Sequence, residues 1–138
     1  MANLDLRKLS ASLEALRPEV DAAYKRLDAK WKAVTDQLRS LPIPCNVQYT
    51  FDEDDYSPEN YLALEWRKWN GSKRICIVSY YMESGPEGPE EASSTTPYEE
   101  WSGEQRVEML QHIPKLFEAA VAQTKSFIER TKDKEERQ

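Results

Sequence analysis

Histidine occurs once, cysteine twice and glycine four times in these 138 residues. A structural zinc tetrahedron cannot be built from His112, Cys45 and Cys76 without carboxylates, and two separated cysteines do not make a disulfide scaffold. Cys45 and Cys76 therefore read as small buried hydrophobes. Four glycines leave little material for a phosphate-cradling loop, and no Gly-x-Ser-x-Gly elbow is present. His112 stands beside Ile113-Pro114 at an expected helix break, with no motif that supplies a nucleophile, and reads as an imidazole interacting with free carbonyls at a helix C-terminus.

No window approaches the roughly 20 consecutive apolar residues that a membrane-spanning helix needs. Nor is there a basic excess: 19 Lys and Arg face 25 Asp and Glu, a net charge of −6 that argues against nucleic acid as a partner. Met1-Ala-Asn-Leu-Asp lacks a basic and then apolar leader, so the expectation is a cytoplasmic protein and Asn70-Gly71-Ser72 reads as a tight turn, not a glycosylation acceptor. Asp52-Glu53-Asp54-Asp55 begins like a calcium loop, but Tyr56, Ser57 and Ala63 stand where such a loop needs an oxygen ligand, a glycine and a glutamate. No cofactor, metal or catalytic set is expected.

What is present is a core. Hydrophobic residues make up 39% of the chain and it holds 4 Trp and 7 Tyr, enough for one domain of this length. The charge is unevenly spread. Segment 42–104 carries 13 acidic and 4 basic side chains, whereas 1–41 and 105–138 are nearly neutral.

In 1–41, Leu6, Leu13, Val20, Leu27, Val34 and Leu41 recur at seven-residue spacing, and a second row runs Leu9, Leu16, Ala23 before shifting to Tyr24, Trp31 and Leu38. The pattern predicts a long helix, kinked at Pro18 and capped near Asn3, because the stripe stays in phase across the proline. Arg7, Lys8, Lys25, Lys32 and Arg39 are interleaved with acids and read as its solvated face. About 36 residues of helix would run roughly 54 Å, and a radius of gyration of about 14 Å leaves an overhang. The C-terminal helix or a second copy of the chain is expected to cover it, and a homodimer is expected through this helix or through the aromatic face of the sheet described next.

Residues 45–82 read as a three-stranded antiparallel sheet. Val47, Tyr49 and Phe51 alternate, and Asn70-Gly71 joins two runs rich in Tyr, Trp, Ile and Val. A two-residue turn there sets Trp66 against Ile75 and Leu64 against Ile77, with Leu62, on the core face. It also sets Arg67 against Arg74 on the opposite face, beside Glu65 and Trp69. Facing guanidinium groups need an anion or carboxylate nearby; Glu65 and the acidic loop, or a partner, must provide it. Residues 83–96 read as a mobile acidic loop, 97–131 as helical and 132–138 as a solvated tail. Thr96-Pro97-Tyr98-Glu99 reads as a helix start with Thr96 as cap, and Ser102 with Gln105 as a second capping box.

The fold class that follows is α+β: a long kinked N-terminal helix, a three-stranded antiparallel sheet, and a C-terminal helix or helix pair in one domain. The functional expectation is a non-enzymatic acidic module, such as an adaptor, an immunity-like inhibitor or a chaperone-like binder, that engages a basic protein. Glu65, Arg67, Trp69, Arg74, Tyr98 and Trp101 are its candidate contact residues. The alternative is a small-ligand or anion-binding domain, including an enzyme of unrecognised type, centred on Glu65, Arg67, Trp69 and Arg74; a deep pocket over those residues would favour it.

Overall fold

The computed structural model describes residues 5–136. The Asn3 cap lies outside the described residues. The chain divides into two compact units, Met1–Val34 and Thr35–Gln138.

In the first unit, α1 (Leu6–Ala15) starts at Asp5, whose carboxylate accepts from the backbone N–H groups of Arg7 and Lys8. A single turn residue, Leu16, separates it from α2 (Arg17–Ser40), which continues past the unit's end. Leu16 keeps right-handed helical dihedrals, so the chain does not reverse where Pro18 removes an amide donor. Glu14 and Arg17 bridge the break with a two-pronged ion pair. The two halves of the apolar stripe differ in their exposure. Leu6, Leu9, Leu13, Leu16 and Val20 are exposed, whereas Trp31, Val34 and Leu38, beyond the phase shift, are buried.

The second unit is an α+β arrangement of an antiparallel sheet and C-terminal helices. Its strands are β1 (Val47–Glu53), β2 (Tyr61–Trp69), β3 (Ser72–Gly85) and β4 (Gly88–Pro97), in the order β1-β2-β3-β4. The sheet therefore has four strands, not three. The fourth occupies most of the segment read as a mobile loop. Its glycines and prolines mark a second hairpin: Gly85 pairs with Gly88 across Pro86-Glu87, and pairing runs on to Cys76 opposite Pro97. Gly88 has φ 112°, a conformation that a side chain resists. Pro89 and Pro97 fall near the ends of β4, which has a strand neighbour on one side only, the place where a sheet tolerates proline.

The first hairpin has the register read from Asn70-Gly71. Both turn residues take positive φ, and Trp66 lies opposite Ile75, Leu64 opposite Ile77 and Arg67 opposite Arg74. Leu64, Trp66, Ile75 and Ile77 are buried, with Val47 beside them. A bulge between Thr50 and Asp52 shifts the β1 register by one residue.

Pro97 ends β4 and leads into a short 3₁₀ turn, Tyr98–Glu100, with no side-chain cap, so Thr96 belongs to the strand and does not start a helix. The second capping box does form: Ser102 accepts from the Gln105 N–H while the Gln105 side chain accepts from the Ser102 N–H, opening α3 (Gly103–Glu108). A 3₁₀ turn over Met109–His112 leads into α4 (Ile113–Glu136), where Leu116 and Ala120 are buried.

α4 lies against β1 and reaches β2. Gln123 closes the β1 edge with its amide, accepting from Gln48 N–H at 3.1 Å and donating to Gln48 C=O at 2.8 Å. It takes the place of a neighbouring strand. The β4 edge has no strand beyond it among the described residues.

Candidate interaction surface

Strand alternation puts Glu65, Arg67 and Trp69 of β2 on one face with Cys76, Arg74 and Tyr80 of β3. Glu65 is 4% exposed, the one buried charged side chain among the described residues. Burying a carboxylate is costly unless donors surround it, and here three do. Tyr80 Oη donates to Glu65 Oε2 at 2.5 Å, Gln48 Nε2 donates to the same oxygen at 3.1 Å, and Arg67 Nη1 donates to Oε1 at 3.5 Å.

The facing guanidinium groups are each matched by a carboxylate. Arg67 pairs with Glu65, and Arg74 pairs with Glu99 of the 3₁₀ turn at 3.5 Å. Arg67 also lies over the Trp69 ring, 5.9 Å from its centroid, and Tyr61 stacks on Tyr80 at 4.7 Å. Burial, and then the hydrogen bond to Glu65, push the Tyr80 phenol up to about 12. Burial pushes the Cys76 thiol up to about 11. Both groups thereby stay protonated into alkaline solution, above the pH at which they would ionise in water.

Tyr98 and Trp101 meet each other where β4 ends. Trp101 is buried, meets the Tyr98 ring edge-on at 5.3 Å, and donates from Nε1 to the Thr96 carbonyl at 2.8 Å. It locks the end of β4 in place. Arg106 covers the other part of Tyr98, with its guanidinium 4.7 Å from the ring centroid.

Two cavities of the unit are lined without Glu65, Arg67, Trp69 or Arg74. One groove, of about 560 Å³, is lined on the other sheet face by Leu62, Ile77, Ser79, Met109, Asp52 and His112, among others. The second, of about 390 Å³, lies by Asp52, Asn60 and Tyr81 at the open end of the first hairpin. His112 stacks on Phe51 at 5.1 Å and tilts toward Tyr49 at 5.7 Å. Its surroundings are aromatic rings, in place of the expected helix carbonyls. Sequence reasoning missed this groove because its walls come from all four strands, α3 and the turn before α4, and no motif connects them. Among the described residues no group of three or more His, Cys, Asp or Glu side chains is placed to hold a metal ion, and no helix is long and apolar enough to cross a membrane.

The surface is strongly biased in charge. Of the four basic residues in 42–104, Arg67 and Arg74 are paired with carboxylates and Lys73 donates to the carbonyls of Ile43 and Cys45. Lys68 is the exposed one. Against it stand exposed carboxylates in two groups: Asp52 to Asp55 with Glu59 at one turn, and Glu83, Glu87, Glu90 and Glu91 around the other hairpin. Comparison of the chain with protein-family models, with curated proteins and with solved structures finds no match.

Proposed function

We propose that the chain is a non-enzymatic protein-interaction module that acts in the cytoplasm and engages a basic protein partner, with a second copy of itself as a further partner. The observation that carries the reading is the internal matching of cations in 42–104, which leaves the exposed carboxylates of the two turns and β4 facing solvent with one exposed lysine among them. A surface of one sign speeds encounter with an oppositely charged partner and rejects acidic ones. The strand edge adds a row of backbone groups suited to an extended segment of that partner.

The test is to identify proteins retained by the tagged chain and to measure their affinity by calorimetry over a range of ionic strength. A partner with a basic contact surface, weakened by salt and by Glu90→Gln with Glu91→Gln, supports the reading. A partner whose affinity is insensitive to both refutes it.

A second reading draws on the groove beside His112. Its volume falls in the range of small-molecule sites, and Asp52, Ser79 and His112 give it acceptors and donors for a small polar ligand. The ligand-binding alternative thus has more support here than on the self-paired Glu65, Arg67, Trp69 and Arg74 face. Thermal-shift screening of polar metabolites separates the two readings: stabilisation lost in His112→Ala favours the groove.

A further inference from the structure

The first unit carries an apolar stripe of five exposed side chains, Leu6, Leu9, Leu13, Leu16 and Val20, each between 47% and 74% exposed. Their spacing of three and four residues extends to Ala23 and Leu27, which makes an unbroken heptad seam in which Pro18 and Lys25 fall on the outermost position. The seam ends where the second row shifts to Tyr24 and Trp31, so the coiled-coil pattern is confined to the exposed part of the helix.

We infer that this stripe is the contact surface for a second copy of the chain, paired antiparallel about a two-fold axis between Leu13 and Leu16. In that register Leu13 meets the partner's Leu16, Leu9 meets the partner's Val20, and Leu6 meets the partner's Ala23. Each first position then faces a fourth position, and large residues face smaller ones toward the ends. The charges agree. Asp5 comes beside the partner's Arg26. The pairing is self-complementary, as a two-fold contact must be. A parallel pair would set Arg7 on the same flank as the partner's Lys8, like charge by like charge, and would stack Ala23 on Ala23 with a gap between.

The exposed area of the five side chains is roughly 500 Å² per copy, so the pair buries about 1,000 Å², the lower bound for a specific interface. The contact is therefore reversible and depends on concentration. This inference deepens the self-association named above, and it uses no residue of the acidic surface, so either one can fail alone.

The test is the solution mass of the full chain by light scattering, joined to disulfide trapping. The expected mass is twice the 16.1 kDa of one chain, and it falls to that of one chain in Leu13→Lys with the near-ultraviolet circular dichroism of the sheet aromatics unchanged. An oxidised mixture of Leu13→Cys and Leu16→Cys chains should cross-link at least several-fold more than either alone, with the wild type, which carries Cys45 and Cys76, as the background. A single-chain mass at high concentration overturns the inference. So does a dimer that survives Leu13→Lys, or a Leu13→Cys chain that cross-links to itself better than to Leu16→Cys, the mark of a parallel pair.

Discussion

Replacing Glu65 with glutamine removes one charge and keeps the shape, so it isolates what the buried carboxylate does. Three donors converge on Glu65 and one of them is the Arg67 guanidinium, which faces Arg74 across the hairpin. At 3.5 Å the ion pair is worth about 4 to 5 kcal/mol before desolvation at an effective dielectric constant of about 20. Removing one partner of a buried pair costs about 3–5 kcal/mol. The Arg67 side chain is 26% exposed, so water relieves part of that, and about 2.5 kcal/mol is the expected loss. With an unfolding entropy of about 2.1 cal/mol/K per residue, a 138-residue chain loses about 8 °C in Tm for that change.

Glu99→Gln is the internal control. Its pair with Arg74 is at the same 3.5 Å but the carboxylate is 61% exposed, and such surface pairs contribute about 0–1 kcal/mol. Thermal unfolding followed by circular dichroism should therefore show a drop of several degrees for Glu65→Gln and of about 3 °C or less for Glu99→Gln. Equal shifts in the two variants, or a Glu65→Gln chain as stable as the parent, would refute the idea that Glu65 is the counter-charge that lets Arg67 face Arg74. Tyr80→Phe then measures one donor alone, with an expected cost of about 1.5–3 kcal/mol for a bond to a charged acceptor.

Other expectations follow from single contacts. Gln123→Leu leaves the Gln48 amide and carbonyl without partners, which should cost about 1–3 kcal/mol and speed hydrogen exchange at Gln48. Gly71 sits at φ 91°, so Gly71→Ala should lose about 1–2 kcal/mol in urea unfolding, although its Cβ would meet nothing within 4 Å. The raised phenol of Tyr80 and thiol of Cys76 both favour the folded state while protonated, so stability should hold to about pH 9 and fall toward pH 12 as first Cys76 and then Tyr80 pass their folded values; Tyr80→Phe removes the upper part of that loss in alkaline melts. Half-buried Cys45 should react with an aromatic disulfide reagent at neutral pH, while buried Cys76 reacts only at the rate of unfolding.

The parts of the fold that could be read from residue order are those where a turn motif stands between two apolar runs. Leu64, Trp66, Ile75 and Ile77 share one buried face while Ala63, Glu65, Cys76 and Val78 are buried on the other, so it is Asn70-Gly71 that fixes the turn, and the register and the Arg67–Arg74 opposition follow from it. β4 has no such signal. Its Glu90, Glu91, Ser93 and Ser94 are all exposed, and what holds the strand is backbone pairing to β3 over its whole length with Trp101 anchoring Thr96. A strand polar on both faces has the composition of a loop. The approach of Glu99 to Arg74 was hidden for the same reason, since it depends on where β4 ends and how the next turn bends.

The N-terminal helix shows a different limit. A heptad of leucines states that something apolar will cover it, and the same seven-residue rhythm arises whether the cover is the chain's own core or another chain. Only exposure separates the two cases: the buried side chains begin at Trp31, after the row shifts, and the strict seam before it is open. The phase shift at Tyr24 is then the boundary between two jobs within one continuous pattern. If that boundary is real, moving it should move the contact. Val20→Lys should abolish the pairing while leaving the fold of 35–138 intact, and Leu38→Lys should unfold it, a difference that circular dichroism and solution mass together resolve.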